Sequence, residues 1–138
     1  MYKKKRVGMR KMKKITDTYF DLTGAGRYIG SDTQIYCKDA VARAQIKAAF
    51  ENTAGCREHR NVKGILFSEI DEQAETLVKD CFPEADLQTE DSYVILVEKD
   101  RIRVFTDSEN GVRYAACSIR VHYDPEKGIP EGLLCNIP

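Results

Sequence analysis

Nowhere in the 138 residues does an apolar run approach the ~20 residues that a membrane-spanning helix requires. The basic opening passes into KITDTYFDLTG, which lacks the apolar stretch of a secretory signal, so the chain is expected to be soluble and cytoplasmic. No two of the five cysteines (Cys37, Cys56, Cys81, Cys117 and Cys135) stand in a C-x-x-C spacing, and their number is odd. That argues against a disulfide framework and against a zinc cage, and leaves reduced, packed thiols as the expectation. Histidine is scarce, with only His59 and His122. Cys56-Arg57-Glu58-His59 therefore lacks the third ligand of a catalytic zinc and reads as a solvated loop, while Cys117, with no histidine base close by, reads as a small buried thiol. No metal and no cofactor is expected.

Acidic residues are missing from the first 14 positions, which hold eight Lys/Arg. The other 14 basic residues face 22 acidic ones, so the body carries a net charge of −8 beneath an overall charge of zero. MYKKKRVGMRKMKK has no helical or strand periodicity and repels itself, so residues 1–14 are expected to be a mobile basic arm and 15–138 a single domain. A domain of this length buries roughly two thirds of its unfolded surface, enough for a real core.

Alternation at Tyr19-Phe20-Asp21-Leu22 predicts a first strand, GAGRYIGSD a turn, and Thr33 to Cys37 a second strand. Asp39 is placed to cap a helix running to about Asn52, with Ala42, Ile46, Ala49 and Phe50 on its apolar face and Gly55 at its stop. Val62 to Phe67 reads as a third strand. Ser68-Glu69-Ile70-Asp71 reads as a capping box that opens a helix over 69–81, with Ile70, Ala74, Leu77, Val78 and Cys81 inward and Pro83 preventing continuation. SYVILVEKDRIRVF is the strongest hairpin signal, turning at Lys99-Asp100, with Ile102 and Val104 on a buried face and Arg101 and Arg103 on a wet one. Thr106-x-x-Glu109 reads as a second capping box, followed by a helix with Val112, Ala115, Ala116, Ile119 and Tyr123 inward. A short strand near Leu133 to Ile137 ends the chain. The expected class is α+β, a single mixed sheet with helices packed on one face.

Gly24-Ala25-Gly26 with Gly30 resembles a dinucleotide loop only on paper, because a strand and not a helix follows, and no helix N-terminus would meet the phosphates. The carboxylates at Asp71-Glu72 and Asp107-Glu109 fall in first helical turns, where the helix dipole accounts for them, and Glu90-Asp91 lies in a polar connector. The basic arm could hold phosphate backbones electrostatically, but Tyr2 is its only aromatic and it carries no folded groove.

From Asp91 to Tyr123 the chain resembles the accessory N-terminal domain of family 20 glycoside hydrolases, the β-N-acetylhexosaminidases. That domain has an acidic residue shortly before a Tyr, two strands joined by a tight turn, and a helix of the form G-x-x-Y-G-x-x-T-L-x-x-L. Here Tyr93 opens the hairpin, and Gly111, Tyr114, Ser118, Ile119 and Arg120 stand where the family has its Gly, Tyr, Thr, Leu and a frequent Arg. The likeness reaches back more loosely to Thr33. Ala115 replaces the usual second Gly, and His122 a Leu. The resemblance implies a non-catalytic accessory domain, associated with carbohydrate metabolism, whose partner is the catalytic (β/α)₈ barrel of a parent glycosidase. The family's catalytic Asp-Glu pair lies in that barrel, so no catalytic residue carries over, and the isolated chain is not expected to be an enzyme. Tyr93, Gly111, Tyr114 and Ile119 are expected in structural or interface roles, with Gly111 letting the helix lie close to the sheet and Tyr114 reaching a polar partner. An apolar patch meant for a barrel could also let the isolated chain form a homodimer. The alternative is a stand-alone interaction module whose arm contacts nucleic acid or an acidic protein, a reading that the arm's lack of stacking aromatics weakens.

Overall fold

A short strand, β1 (Lys13–Ile15), leads antiparallel into β2 (Thr18–Tyr36) in a computed structural model describing residues 13–15, 18–53, 61–87 and 91–136. Lys13 and Lys14 pair with Phe20 and Tyr19, so the boundary expected at residue 14 falls inside β1; residues 1–12 of the expected arm lie outside the described residues. The predicted turn at GAGRYIGSD is overturned, because these residues continue a single strand of 19 residues. The glycines serve close approach instead of reversal. A Cβ on Gly24 would meet the Glu131 side chain, 2.9 Å from its Cγ, and one on Gly26 would meet the Lys127 carbonyl. The strand absorbs its irregularity as bulges, with register shifts between Leu22 and Gly26 and between Ile29 and Gln34. Thr33 holds the second bulge: its hydroxyl accepts from the Gly30 N–H at 3.0 Å and donates to the Val62 carbonyl.

The remaining elements are α1 (Ala40–Lys47) with a 3-10 turn at Phe50–Thr53, β3 (Asn61–Ser68), α2 (Glu72–Cys81), β4 (Tyr93–Val97), β5 (Ile102–Thr106), α3 (Glu109–His122) and β6 (Ile129–Asn136). They form the α+β arrangement expected, a mixed sheet in the order β1-β2-β3-β5-β4-β6. The ladder also returns on itself. The first half of β2 pairs antiparallel with β6, from Thr18 with Asn136 to Arg27 with Ile129, and its second half pairs parallel with β3, from Tyr28 with Asn61 to Tyr36 with Leu66.

Helix starts differ from the sequence signals in two places. Asp39 caps α1 as expected, accepting from Ala42 N at 2.8 Å. The cap of α2 is Asp71 instead of Ser68, accepting from Ala74 N at 2.9 Å. The cap of α3 is Ser108 instead of Thr106, accepting from Gly111 N at 2.8 Å. Thr106 is diverted because its hydroxyl, buried at the end of β5, donates to the Ser92 carbonyl at 2.8 Å. A buried hydroxyl must find an acceptor; the start of a helix presents only N–H donors, and the Ser92 carbonyl just before β4 supplies the acceptor.

Two apolar cores lie on opposite sides of the sheet. On one side Ala42 and Ile46 of α1 and Ala115, Ala116 and Ile119 of α3 pack on Ile65, Ile95, Ile102, Val104 and Leu134. On the other, Ala74 and Val78 of α2, with Phe82 and Leu87, cover Val94, Phe105, Leu133 and Cys135. Helices on one face thus describes α1 and α3, while α2 takes the opposite face. The second face of the hairpin is therefore partly covered, although Arg101 at its turn stays exposed as expected. Phe105 is 2% exposed, and Arg103, expected in water, lies half-buried with its guanidinium 5.2 Å from the Phe105 ring centre and its Nε 3.0 Å from Glu98. Burying a side chain such as Phe105 contributes about 1.5–3 kcal/mol.

The α3 stripe is as expected, with Ala115, Ala116 and Ile119 fully buried and Tyr123 nearly so. Gly111 has the packing reason that the sequence suggests: a Cβ there would press on the Thr106 hydroxyl, stand 2.9 Å from Ser108 Oγ and 3.1 Å from the Ser92 carbonyl oxygen. Replacing a helical Gly with Ala gains up to about 1 kcal/mol in propensity, but overpacking against groups already committed to hydrogen bonds costs about 1–3 kcal/mol. Gly111→Ala is therefore expected to be destabilising on balance, and Ala115→Leu to cost about 1–3 kcal/mol. Urea melts measure both; a Gly111→Ala variant more stable than wild type would show that α3 can lift off the sheet.

Candidate functional site

Helix α3 presents two unlike sides. Its inward stripe is spent on the core, and the Tyr93 ring beneath it is buried. Burial raises the Tyr93 hydroxyl above its ordinary pKa, opposed by a hydrogen bond with Ser118, so Tyr93 keeps its proton and acts as a packed strand residue tied to the helix. Ile119 is wholly buried.

The outward side carries Tyr114, Cys117 and Val121 at i, i+3 and i+7, which places them one above the other on the helix surface. Tyr114 is 51% and Val121 72% exposed. Tyr114 thus points away from the sheet edge where it was expected to find a polar partner. Cys117 is also exposed, which overturns its reading as a packed thiol. The reason is angular: with Ala115, Ala116 and Ile119 inward, position 117 falls on the opposite side of the helix. Arg113 and Arg120 flank the stripe, both exposed. Arg113 is also anchored, with Nε 3.1 Å from Asp39 Oδ2 and Nη2 3.4 Å from Glu109 Oε1, so it links α3 to the cap of α1.

A second feature lies at the carboxyl ends of β2 and β3, between the starts of α1 and α3. It is an open groove of about 840 Å³ lined by Ile35, Tyr36, Leu66, Phe67 and Val112, with Lys38, Asp39, Arg43, Glu69 and Glu109 among its polar residues. The Ala42 backbone N–H, and after it the Arg113 guanidinium, hold the Asp39 carboxyl below the usual carboxylate range. A carboxylate held ionised in this way is unsuited to donate a proton as a general acid. Arg43 is occupied by the Cys37 carbonyl, and burial raises the Cys37 thiol above its ordinary value, which keeps it protonated. Among the described residues no group of three His, Cys, Asp or Glu side chains is disposed to hold a metal ion, and no helix is long and apolar enough to cross a membrane.

Other sequence candidates are dispersed. Cys56, Arg57, Glu58, His59 and Glu90 lie outside the described residues. Asp91 has a left-handed backbone, φ +68°, and lies 3.4 Å from the Ser108 hydroxyl, beside the start of α3. His122 packs its ring on Phe20 at 5.2 Å and its Nδ1 lies 2.9 Å from the Ser118 carbonyl, a scaffold position. Sequence reasoning missed Tyr36 and Leu66, paired neighbours on β2 and β3 that are 54% and 40% exposed. Their signal was present only as large apolar residues at alternating positions, which predicts burial wherever a helix covers the face.

Among the described cysteines, Cys135 is the most perturbed, its thiol pushed up to about 12 chiefly by burial. In the unfolded chain a thiol ionises near pH 8.5, so above that pH the unfolded state sheds a proton that the folded state keeps. The stability present below about pH 8.5 is then lost by up to about 1.4 kcal/mol per pH unit until the folded value is reached. Urea midpoints at pH 7 and pH 10 should therefore diverge more for wild type than for Cys135→Ala; equal divergence would remove Cys135 as the cause. Under native conditions a maleimide should label Cys117 first and Cys135 only on unfolding.

No family model, no curated protein and no solved structure matches the chain, so a functional reading rests on this geometry and on the resemblance in residues 91–123.

Proposed function

We propose that the chain is a non-catalytic accessory domain of the kind that supports the barrel of β-N-acetylhexosaminidases, and that the outward side of α3 is where it meets that partner. The observation that carries this is the Tyr114-Cys117-Val121 stripe, apolar and exposed on a helix whose other side is fully used. Val121, 72% exposed, adjoins Tyr114, 51% exposed, on the same side of the helix, and adjoining apolar side chains mark an interaction site more than single ones do. The flanking Arg113 and Arg120 suit the mixed polarity of contacts between domains. The hairpin-to-helix unit also supports the resemblance: Gly111 lies where the helix comes closest to the sheet and Tyr93 sits under Ser118, the positions that carry the likeness.

On this reading the domain positions and stabilises a barrel, and the chemistry belongs to the barrel. The groove carboxylates agree with that division, since Asp39 and Glu109 share the Arg113 guanidinium as ion-pair partners.

Three observations test it. The purified chain should not turn over 4-nitrophenyl N-acetyl-β-glucosaminide; turnover above a mock preparation, abolished by replacing one carboxylate, would overturn the non-catalytic assignment. The coding sequence beyond codon 138, or an adjacent gene, should encode a (β/α)₈ barrel. Val121→Asp should weaken association with that barrel while changing the chain's own urea stability by less than about 0.5 kcal/mol. Undiminished association would move the interface off α3.

A further inference from the structure

Opposite sides of the sheet carry unlike surfaces, and together they hold every large apolar side chain that is exposed among the described residues: Tyr36, Val41, Leu66, Tyr114 and Val121. The first surface is the outer side of the layer formed by α1 and α3. Val41, 50% exposed, follows by two residues the Asp39 cap that Arg113 grips, and so joins Tyr114 and Val121 there. This layer is cationic. Helix α1 holds Arg43 and Lys47 and no acid, and α3 beyond Glu109 holds Arg113 and Arg120 and no acid. Arg113 is neutralised by Asp39 and Glu109, whereas Arg43 is bound to the neutral Cys37 carbonyl and keeps its charge. Lys47 and Arg120 have no carboxylate partner among the described residues.

The second surface is the part of the other sheet face that α2 leaves open. Tyr36 pairs with Leu66 and Leu66 with Arg103, whose Nη1 lies 3.0 Å from Gln73 Oε1, so the two apolar side chains lie beside the first turn of α2. Residues 69–86, which contain α2, hold seven acids against Lys79 alone, and Arg103 is compensated by Glu98. Glu69 and Glu72 have no cationic partner among the described residues, and this surface is anionic. Like sides repel. Pairing the α1 and α3 layer with itself sets Lys47 and Arg120 against their own copies, and pairing the α2 side with itself does the same to Glu69 and Glu72. Unlike sides match in charge, and each offers apolar side chains for the other to cover. Nucleic acid would gain little from so few uncompensated cations, because its affinity follows the number of phosphates neutralised. We propose that the chain associates with a second copy of itself front to back, the outer side of α1 and α3 of one copy seated on the Tyr36 and Leu66 side of the next. Such a heterologous contact leaves one free front and one free back, so it extends to further copies unless the rotation closes a ring. The inference shares the α3 side with the barrel reading and goes beyond it by adding the opposite side of the sheet. It concerns the isolated chain and requires no barrel.

Sedimentation velocity tests it. Wild type should associate beyond a dimer as its concentration rises from about 10 µM to about 500 µM in about 50 mM NaCl, and less in about 500 mM NaCl, where surface charges are screened. Val121→Asp and Tyr36→Asp should each weaken association about ten-fold or more, since each spoils one half of the contact. An equimolar mixture of the two retains one sound front and one sound back, and should form a heterodimer that grows no further. Arg120→Glu and Glu72→Lys, exposed changes that leave both cores untouched, should likewise lose association singly and regain it when mixed, which guards against a folding defect in the first pair. Tyr36→Asp should leave association with a barrel unchanged, so that failure of the accessory-domain reading and failure of self-association are separately visible. The proposal is overturned if wild type stays monomeric throughout, if its association ignores salt, if Tyr36→Asp associates as wild type does, as an α3-to-α3 pair would, or if both mixtures stay monomeric.

Discussion

The constraint on which the structure depends is the two-sided use of β2. One strand supplies hydrogen-bonding edges to β6 along its first half and to β3 along its second, so strands more than 100 residues apart are joined directly. That crossing leaves no room for side chains where the backbones approach. Gly132, at φ +145°, holds its Cα where an added Cβ would come 2.8 Å from the Leu22 Cα, and Gly128, at φ +77°, lies against the Arg27 backbone. Both conformations are ones that glycine adopts at no steric cost. The crossing also buries Arg27, 3% exposed, whose guanidinium is neutralised by Glu131 from β6. Removing Glu131 alone would leave a buried cation without that partner, which is costlier than never having had the pair.

With the ladder returned on itself, the helices inherit their places. Helices α1 and α3 fill one face, and the Arg113 bridge to Asp39 ties the entry of one to the flank of the other. Helix α2 covers β4, β5 and β6 on the opposite face, through contacts to Val94, Phe105, Leu133 and Cys135. The ends of β2 and β3 are left with Tyr36 and Leu66 exposed, and the far side of α3 is left with Tyr114 and Val121. These two surfaces are separate from the buried residues that hold the fold together.

The helices and the hairpin were legible in sequence because their periodicities are strong and their apolar positions are consistent: Ala115, Ala116 and Ile119 lie where spacing puts them. The caps were legible only to within a turn. Ser68 and Asp71, and likewise Thr106 and Ser108, are all competent capping residues, and for α3 the choice turns on the Ser92 carbonyl, which engages the Thr106 hydroxyl. Strand β2 was misread because Gly24, Gly26 and Gly30 signal reversal equally well as close approach, and the difference lies in a strand more than 100 residues later. Of the site, Gly111 was legible as a packing glycine. Tyr36 and Leu66 were not, since an apolar residue in a strand carries no mark of whether a helix will cover it. Cys117 could have been placed outward by the same helical spacing that placed its neighbours inward.

Joining β2 to β6 also sets an order of events during synthesis. Residues 18–27 emerge early, yet their antiparallel partner is residues 129–136, made about 100 residues later. Until then the first half of β2 lacks its longest neighbour, and the buried Arg27 lacks its carboxylate. The hairpin β4–β5 and the helices, whose partners are near in sequence, can form first, but closure of the ladder waits for residues 129–136 and pays a large loop entropy. Its folding rate should accordingly be governed by the meeting of the two ends, and a nascent chain stalled before residue 129 would display an unpaired, apolar strand edge of the kind that chaperones recognise.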